Sequence, residues 1–181
     1  LRDLKERYPK KILGVIGCMA QKDRELIFRR ADHVDLVLGP GQLAQLPALL
    51  ERIAAGAGPQ IEVSLDRKAA KRVEVEQSFA RFDPLRSPRG RPQRHQALLR
   101  IMFGCDKFCT FCIVPTVRGP EQSRAPAELE AEARQLAEQG CREITLIGQT
   151  VNSYKYVENG RTVHLADLLV RLHEVEGIRR L

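Results

Sequence analysis

The chain has 181 residues, 43% hydrophobic and 29% charged, which describes a folded globular protein and excludes a disordered one; the length suffices for one core, or for one domain and part of another. No apolar run approaches the ~18 residues of a membrane span, and the N-terminal LRDLKERYPK lacks a signal peptide's apolar centre, so a cytoplasmic protein is expected. A net charge of +7 favours a polyanionic partner only through surface potential, and a plain basic surface would account for it.

Residues 12–16 (ILGVI) and 34–38 (VDLVL) read as short buried strands, each ended by glycine. Between them Gln21 to Ala31 is expected to be helical, with Leu26 and Ile27 on its inner side. Leu43, Leu46, Leu50 and Ile53 recur at helical spacing, with Pro47 starting or bending that helix. Strands separated by such helices imply βαβ units and a parallel sheet. Two strands do not make a stable sheet, so earlier strands are expected before Leu1. Cys18 sits where the first strand ends, at the side of a parallel sheet where ligands bind. A lone cysteine there is, by itself, more often a small packed residue than a ligand.

Gly56 to Pro59 should end this domain. Residues 72–76 (RVEVE) alternate like a hairpin strand. Arg81, Arg86, Arg89, Arg91 and Arg94, interleaved with prolines, form an extended basic linker whose arginines either contact phosphate or stay solvated. From Ala97 to Phe103 a new strand begins. Pro126 opens a helix with Leu129, Ala133, Leu136 and Ala137 on one face, and Gly140 stops it. Glu143 to Ile147 is the next strand, followed by Gly148-Gln149-Thr150. Leu165, Leu168, Leu169 and Leu172 mark another helix, stopped by Gly177, and Ile178 should start a third strand. This alternation is the start of a β/α barrel with its chemistry on one rim. The chain is expected to divide into 1–58, a 59–96 linker with a possible hairpin, and 97–181; both of its ends read as cut.

The stretch carrying the chemistry is Gly104 to Cys112, GCDKFCTFC, which places Cys105, Cys109 and Cys112 at CxxxCxxC spacing. Three soft thiolates on one tight loop suit a four-iron cluster and leave one iron for a small ligand bearing an amine and a carboxylate. A zinc site would pair CxxC with a second CxxC or HxxxH, and neither is present. Three buried, unliganded thiols would be unusual so close together on a glycine-led turn. Cys141 precedes the second strand, at the wrong end for that rim, and reads as a packed thiol. His33, His95, His164 and His173 lack ligand spacing.

The triplet, Phe111 before its last cysteine and the preceding LLRIMF resemble the radical S-adenosylmethionine superfamily. The flanks narrow this: GCDKFCTFCIVPTVRGPEQSR, CREITLIGQTVNSY, GCMAQ and VDLVLG are similar to the methylthiotransferases. The segment Gln149 to Tyr154 resembles the branch acting on tRNA, which adds a 2-methylthio group to isopentenyladenosine beside the anticodon. The fold this implies is α/β: the C-terminal half of a parallel, Rossmann- or flavodoxin-like N-terminal domain, then the first strands and helices of a radical SAM β/α (TIM-like) barrel.

The resemblance implies a transferase with two 4Fe-4S clusters in the full-length enzyme and S-adenosyl-L-methionine as cofactor. Cys105, Cys109 and Cys112 would hold the radical-generating cluster. Phe111 would line the adenine end of the cofactor, and Gly148 and Gln149 would face its methionyl amine. Cys18 matches the last of three ligands of an auxiliary cluster, which reverses the reading of it taken alone; the other two would lie before Leu1. Partners so implied are the tRNA anticodon stem-loop and a flavodoxin- or ferredoxin-type electron donor, with no membrane and a monomeric state. The 181 residues alone are expected to bind one cluster poorly and to show no methylthiolation. The alternatives are a protein-modifying (ribosomal) methylthiotransferase, a ferredoxin-type carrier using Cys141 or Cys18 as fourth ligand, and a zinc RNA-binding module.

Overall fold

A computed structural model describes residues 1–63, 91 and 93–181. The described residues divide into two compact units, one drawn from 1–82 and 108–119, the other from 83–107 and 120–181. The expected hairpin strand at 72–76 and the linker arginines Arg81, Arg86 and Arg89 lie outside the described residues.

The first unit is built on a three-stranded parallel sheet of β1 (Gly14–Ile16), β2 (Leu36–Leu38) and β3 (Gln60–Glu62), with β2 central. Val15, Val37 and Ile61 stand in one register row. Because side chains alternate along a strand, β2 feeds two cores. Val37 packs with Ala20, Val34, Val15, Ile27 and Phe28 on one face. Leu36 and Leu38 pack with Leu49, Leu46, Leu50 and Ile53 on the other. All three β2 residues are buried, and each leucine so buried contributes about 1.5–3 kcal/mol. This near-continuous apolar run is what a parallel strand covered on both faces requires.

The helices that cover it differ in detail from expectation. The single helix expected at Gln21 to Ala31 is two, α2 (Cys18–Asp23) and α3 (Leu26–Arg30), preceded in the chain by α1 (Arg2–Arg7). Arg24 between them has φ of 46°, a left-handed conformation that stops a helix. A 3-10 turn over Leu43–Gln45 leads into α4 (Leu46–Ala54), with Pro47 in its first turn, where the missing N–H costs nothing. The strand β3 is absent from the sequence reading, which takes Gly56 to Pro59 as the end of the domain. Its pairing is anchored at both ends, by Gln60 N–H to Asp35 O at 2.8 Å and Gly39 N–H to Glu62 O at 2.8 Å. The last element of this unit is α5 (Val114–Arg118), with Pro115 and Val117 buried.

In the second unit β4 (Gln96–Arg100) pairs in parallel with β7 (Glu143–Ile147), in register from Gln96↔Glu143 to Arg100↔Ile147. The run expected as one strand to Phe103 breaks at Ile101, and its end, β5 (Met102–Phe103), pairs antiparallel with β6 (Gln122–Ser123). The helix α6 (Pro126–Glu138) starts and stops as its proline and Gly140, at φ 88°, dictate. Leu129, Ala133 and Leu136 of α6, and Leu168 and Leu172 of α7 (Leu165–His173), share one core with Ala97, Leu99, Ile101 and Ile144. Beyond Gly177 the chain makes an isolated parallel bridge, Glu143↔Arg180, rather than the third strand expected at Ile178.

Between β7 and α7 lies a hairpin the sequence reading lacks, β8 (Lys155–Glu158) with β9 (Arg161–His164). Its turn is Asn159-Gly160, with φ of 51° and 77°. Positive φ at both residues marks the type I′ turn that matches strand twist, and the Asn-Gly pair was its signal in the sequence. Both units are thus α/β with parallel strand pairs. Among the described residues no helix is long and apolar enough to cross a membrane.

Candidate active site

The cysteine loop leaves β5 through Gly104, whose φ of 73° is open to glycine at no steric cost and turns the chain sharply. Cys105 follows, 8% exposed, with Sγ 3.5 Å from Thr150 Oγ1. Thr150 comes just after β7, so the carboxyl ends of β5 and β7 meet at this sulfur. Cys109 and Cys112 are exposed free thiols, joined by a turn in which Cys112 N–H donates to Cys109 O at 3.0 Å. Phe108, just before them, takes a left-handed φ of 50°. The boundary between the two units runs through this loop: Cys105 belongs to the second, Cys109 and Cys112 to the first. Among the described residues no three His, Cys, Asp or Glu side chains converge as a metal-binding group. Phe111 is 97% exposed.

The rim after β7 is tightly built. A Cβ on Gly148 would stand 2.5 Å from Met102 Cγ and 3.3 Å from Met102 O, so a side chain there would have to push Met102 aside where the end of β7 lies against β5. Beside it, the Gln149 amide oxygen is buried with no hydrogen-bond partner among the described residues. A buried, unanswered acceptor at a strand's carboxyl end is suited to a donor from a bound ligand. Neighbouring Arg124 braces the rim. Its Nη1 donates to Arg100 O at 2.8 Å, its Nη2 pairs with Glu132 Oε2 of α6 at 2.8 Å, and its carbonyl accepts from Tyr154 Oη at 2.8 Å. Burial pushes the Tyr154 phenol's pKa well above its ordinary value, so it stays a donor.

Cys18 lies in the first unit, at the first residue of α2. The Nε–H of Arg118 donates to its Sγ at 3.2 Å. Sequence reasoning missed Arg118 because 100 residues separate the partners. It also passed over Thr150, although that residue stands in the segment it singled out. Cys141 is fully buried, its thiol directed at Glu143 O at 3.1 Å, as a packed residue should be. Of the linker arginines, Arg91 is buried and donates to Gln139 at 2.7 Å, whereas Arg94 is exposed. A cleft beside α6 and α7 is lined by Glu130, Arg134, Arg142, Arg171 and Glu174; Arg142 precedes β7, placing the cleft at the strand end opposite the rim.

Cys105, a soft thiol at the carboxyl end of a strand beside a rim with an unanswered acceptor, suits one ligand of an iron–sulfur cluster next to a small polar cofactor. The features are those of the radical SAM class: residues 99–179 match the Radical SAM superfamily. That match and the relatives below imply a 4Fe-4S cluster and S-adenosyl-L-methionine. Along its whole length the chain is similar to tRNA-2-methylthio-N(6)-dimethylallyladenosine synthases. It is 55% identical over 181 residues to that of Rhodopirellula baltica, covering 100% of this chain and 38% of the relative. The enzyme of Acidithiobacillus ferrooxidans is 43% identical over 185 residues, covering 99% of this chain and 38% of the relative. That of Chloroherpeton thalassium is 43% identical over 162 residues, covering 90% and 33%. The chain therefore spans about 38% or less of the length of these relatives.

Proposed function

We propose that this chain is part of a radical SAM methylthiotransferase that adds a 2-methylthio group to isopentenyladenosine beside the anticodon of tRNA. The observation that carries the proposal is the Cys105-Cys109-Cys112 loop standing at the start of the matched region, in a chain similar to tRNA methylthiotransferases from end to end. In this reading residues 1–58 are the second half of the N-terminal domain, 59–96 the linker, and 97–181 the first part of a β/α barrel. The exposure of Leu98, on the face of β4 turned away from the helices, agrees with a barrel interior on that side.

Cys105, Cys109 and Cys112 would hold the cluster through three thiolates. What the cluster and cofactor supply when bound is one-electron chemistry able to break an unactivated carbon–hydrogen bond, which acid–base side chains do not achieve. The protein's own residues bind and orient. Gln149 Oε1 would accept from the cofactor's ammonium, the Gly148 backbone would border it, and the exposed ring of Phe111 would cover its adenine. Thr150, against Cys105 Sγ, would orient that ligand. Cys18 would be one ligand of a second cluster, with its fellow ligands outside these 181 residues. Basic side chains would hold the tRNA anticodon stem-loop by its phosphates, with salt-dependent affinity. A cytoplasmic, monomeric enzyme reduced by a flavodoxin- or ferredoxin-type donor completes the reading.

The test is anaerobic reconstitution of the full-length protein and incubation with hypomodified tRNA, followed by mass analysis of the nucleosides. A 2-methylthio product with the reconstituted protein, absent in a Cys109→Ala variant, is expected. A colourless protein holding one zinc, or methylthiolation of a ribosomal protein and not of tRNA, would overturn the proposal.

A further inference from the structure

We infer that the outward face of the β8–β9 hairpin, with Lys155, Val157 and Thr162 on it and Arg161 beside its turn, is a contact surface for the phosphate backbone of the RNA substrate. The inference rests on the reading of RNA as substrate given above and names where, beside the rim, that RNA is held.

Strand pairing sorts the hairpin into two faces, because residues directly opposite each other in an antiparallel pair point the same way. Tyr156 stands opposite Val163 and both turn inward: Val163 is buried in the core of the second unit, and Tyr156 packs against it. Lys155 stands opposite His164 and Val157 opposite Thr162, and all four are exposed, Val157 by 68%. The His164 ring is occupied in capping α7, where it accepts from the Asp167 N–H.

Charge is sorted in the same way. Glu158 is the hairpin's one acid, and Arg171 of α7 holds it at 2.7 Å. Lys155 and Arg161 are exposed and have no ion-pair partner among the described residues. The hairpin thus offers two uncompensated cations, a hydroxyl, and the open backbone of the Asn159-Gly160 turn.

These groups are anchored next to the rim. The hairpin leaves the Gly148-Gln149-Thr150 segment through a 3-10 turn, Val151–Ser153. Lys155 N–H donates to Ser123 Oγ at 3.2 Å, and Ser123 pairs with Met102 of β5, the strand that delivers Cys105. Tyr154 Oη holds Arg124 O at 2.8 Å just beside it. A substrate brought to the rim therefore passes the hairpin.

The chemistry of the face selects the partner. Protein interfaces centre on buried aromatic or large aliphatic anchors, whereas this face has Val157 alone, its tyrosine being turned inward. Phosphate is held by Lys, Arg, Thr and backbone N–H groups and needs no such anchor. With no outward ring to stack on a base, the face positions RNA rather than reading its sequence.

The test is fluorescence anisotropy of a labelled anticodon stem-loop RNA with the full-length protein, between about 50 and 200 mM salt. Lys155→Gln with Arg161→Gln should weaken binding several-fold. It should also make the plot of log affinity against log salt shallower by about 1.4–1.8, the effect of two phosphate contacts. Lys155→Arg with Arg161→Lys should bind as the parent does. Arg134→Gln with Arg179→Gln removes the same charge at the opposite end of the strands and should also leave binding unchanged. Parental affinity and slope in the first variant would overturn the inference, and so would an equal loss in the Arg134 and Arg179 variant, which would make the effect one of net charge. Unchanged RNA binding with slower reduction by a flavodoxin-type donor would make the face a protein-docking surface and overturn it as well. A parent that does not bind the stem-loop would instead refute the reading of RNA as substrate, and the inference with it.

Discussion

Cys105 Sγ and Thr150 Oγ1 stand 3.5 Å apart although 45 residues separate them, because β5 and β7 end side by side and each hands its next loop to the same rim. A hydroxyl at that distance holds a thiol in one rotamer, and it would remain as a donor to the thiolate once a metal is bound. Thr150→Val keeps the shape and removes the hydroxyl. The expected outcome is a several-fold loss of iron retention during anaerobic gel filtration of the full-length protein, with its thermal midpoint unchanged. Thr150→Ser should retain iron as the parent does.

Gly148→Ala tests how closely the same two strands approach. The added methyl would meet Met102 Cγ at 2.5 Å, which the side chain must leave, and Met102 O at 3.3 Å, a tight contact against backbone. The expected cost is about 1–3 kcal/mol, read from denaturant titration. In a Met102→Ala background part of that cost should vanish, giving a favourable coupling in the double-mutant cycle.

The Arg124–Glu132 pair carries the largest electrostatic prediction. Its side chains are 19% and 10% exposed, and Arg124 also holds Arg100 O. Removing either partner leaves the other charge less well paired in a poorly solvated place, although Arg124 keeps Glu128 at 3.8 Å, so Glu132→Ala and Arg124→Ala should each cost about 1–3 kcal/mol. The double variant should cost well under the sum of the two, again by denaturant titration.

Tyr154 gives a pH prediction of definite sign. Burial raises the pKa of its phenol in the fold, so the unfolded chain loses its proton first, near pH ~10. Its contribution is therefore complete below that pH and is lost as pH climbs from there toward the raised folded value. The parent's denaturation midpoint should fall between pH 9 and 11 (about the range where a free tyrosine ionises) more steeply than that of Tyr154→Phe. At pH 7 the phenylalanine variant should be about 1 kcal/mol less stable, since it leaves Arg124 O without the bond it has at 2.8 Å.

Sequence alone determined the parts governed by local chemistry. Gly104 and the CxxxCxxC spacing marked the cysteine loop as the candidate site; Pro126 and Gly140 marked the ends of α6; and VDLVL declared a buried strand. These signals are legible because each acts within one turn of helix or one strand. Asn159-Gly160 is equally local, and its type I′ turn is legible in the sequence. Other features are not local. A three-residue strand such as β3 is too short to show a period, and it exists because Leu36 to Leu38 offers an edge beside it. The break of the Ala97–Phe103 run at Ile101 depends on Met102 and Phe103 finding β6 as a partner. Thr150 at Cys105, Arg124 at Glu132 and Arg118 at Cys18 are pairings between distant segments, each held by burial that no window of sequence contains. Local signals thus marked the cysteine loop, and only tertiary packing decided that Thr150 stands against Cys105.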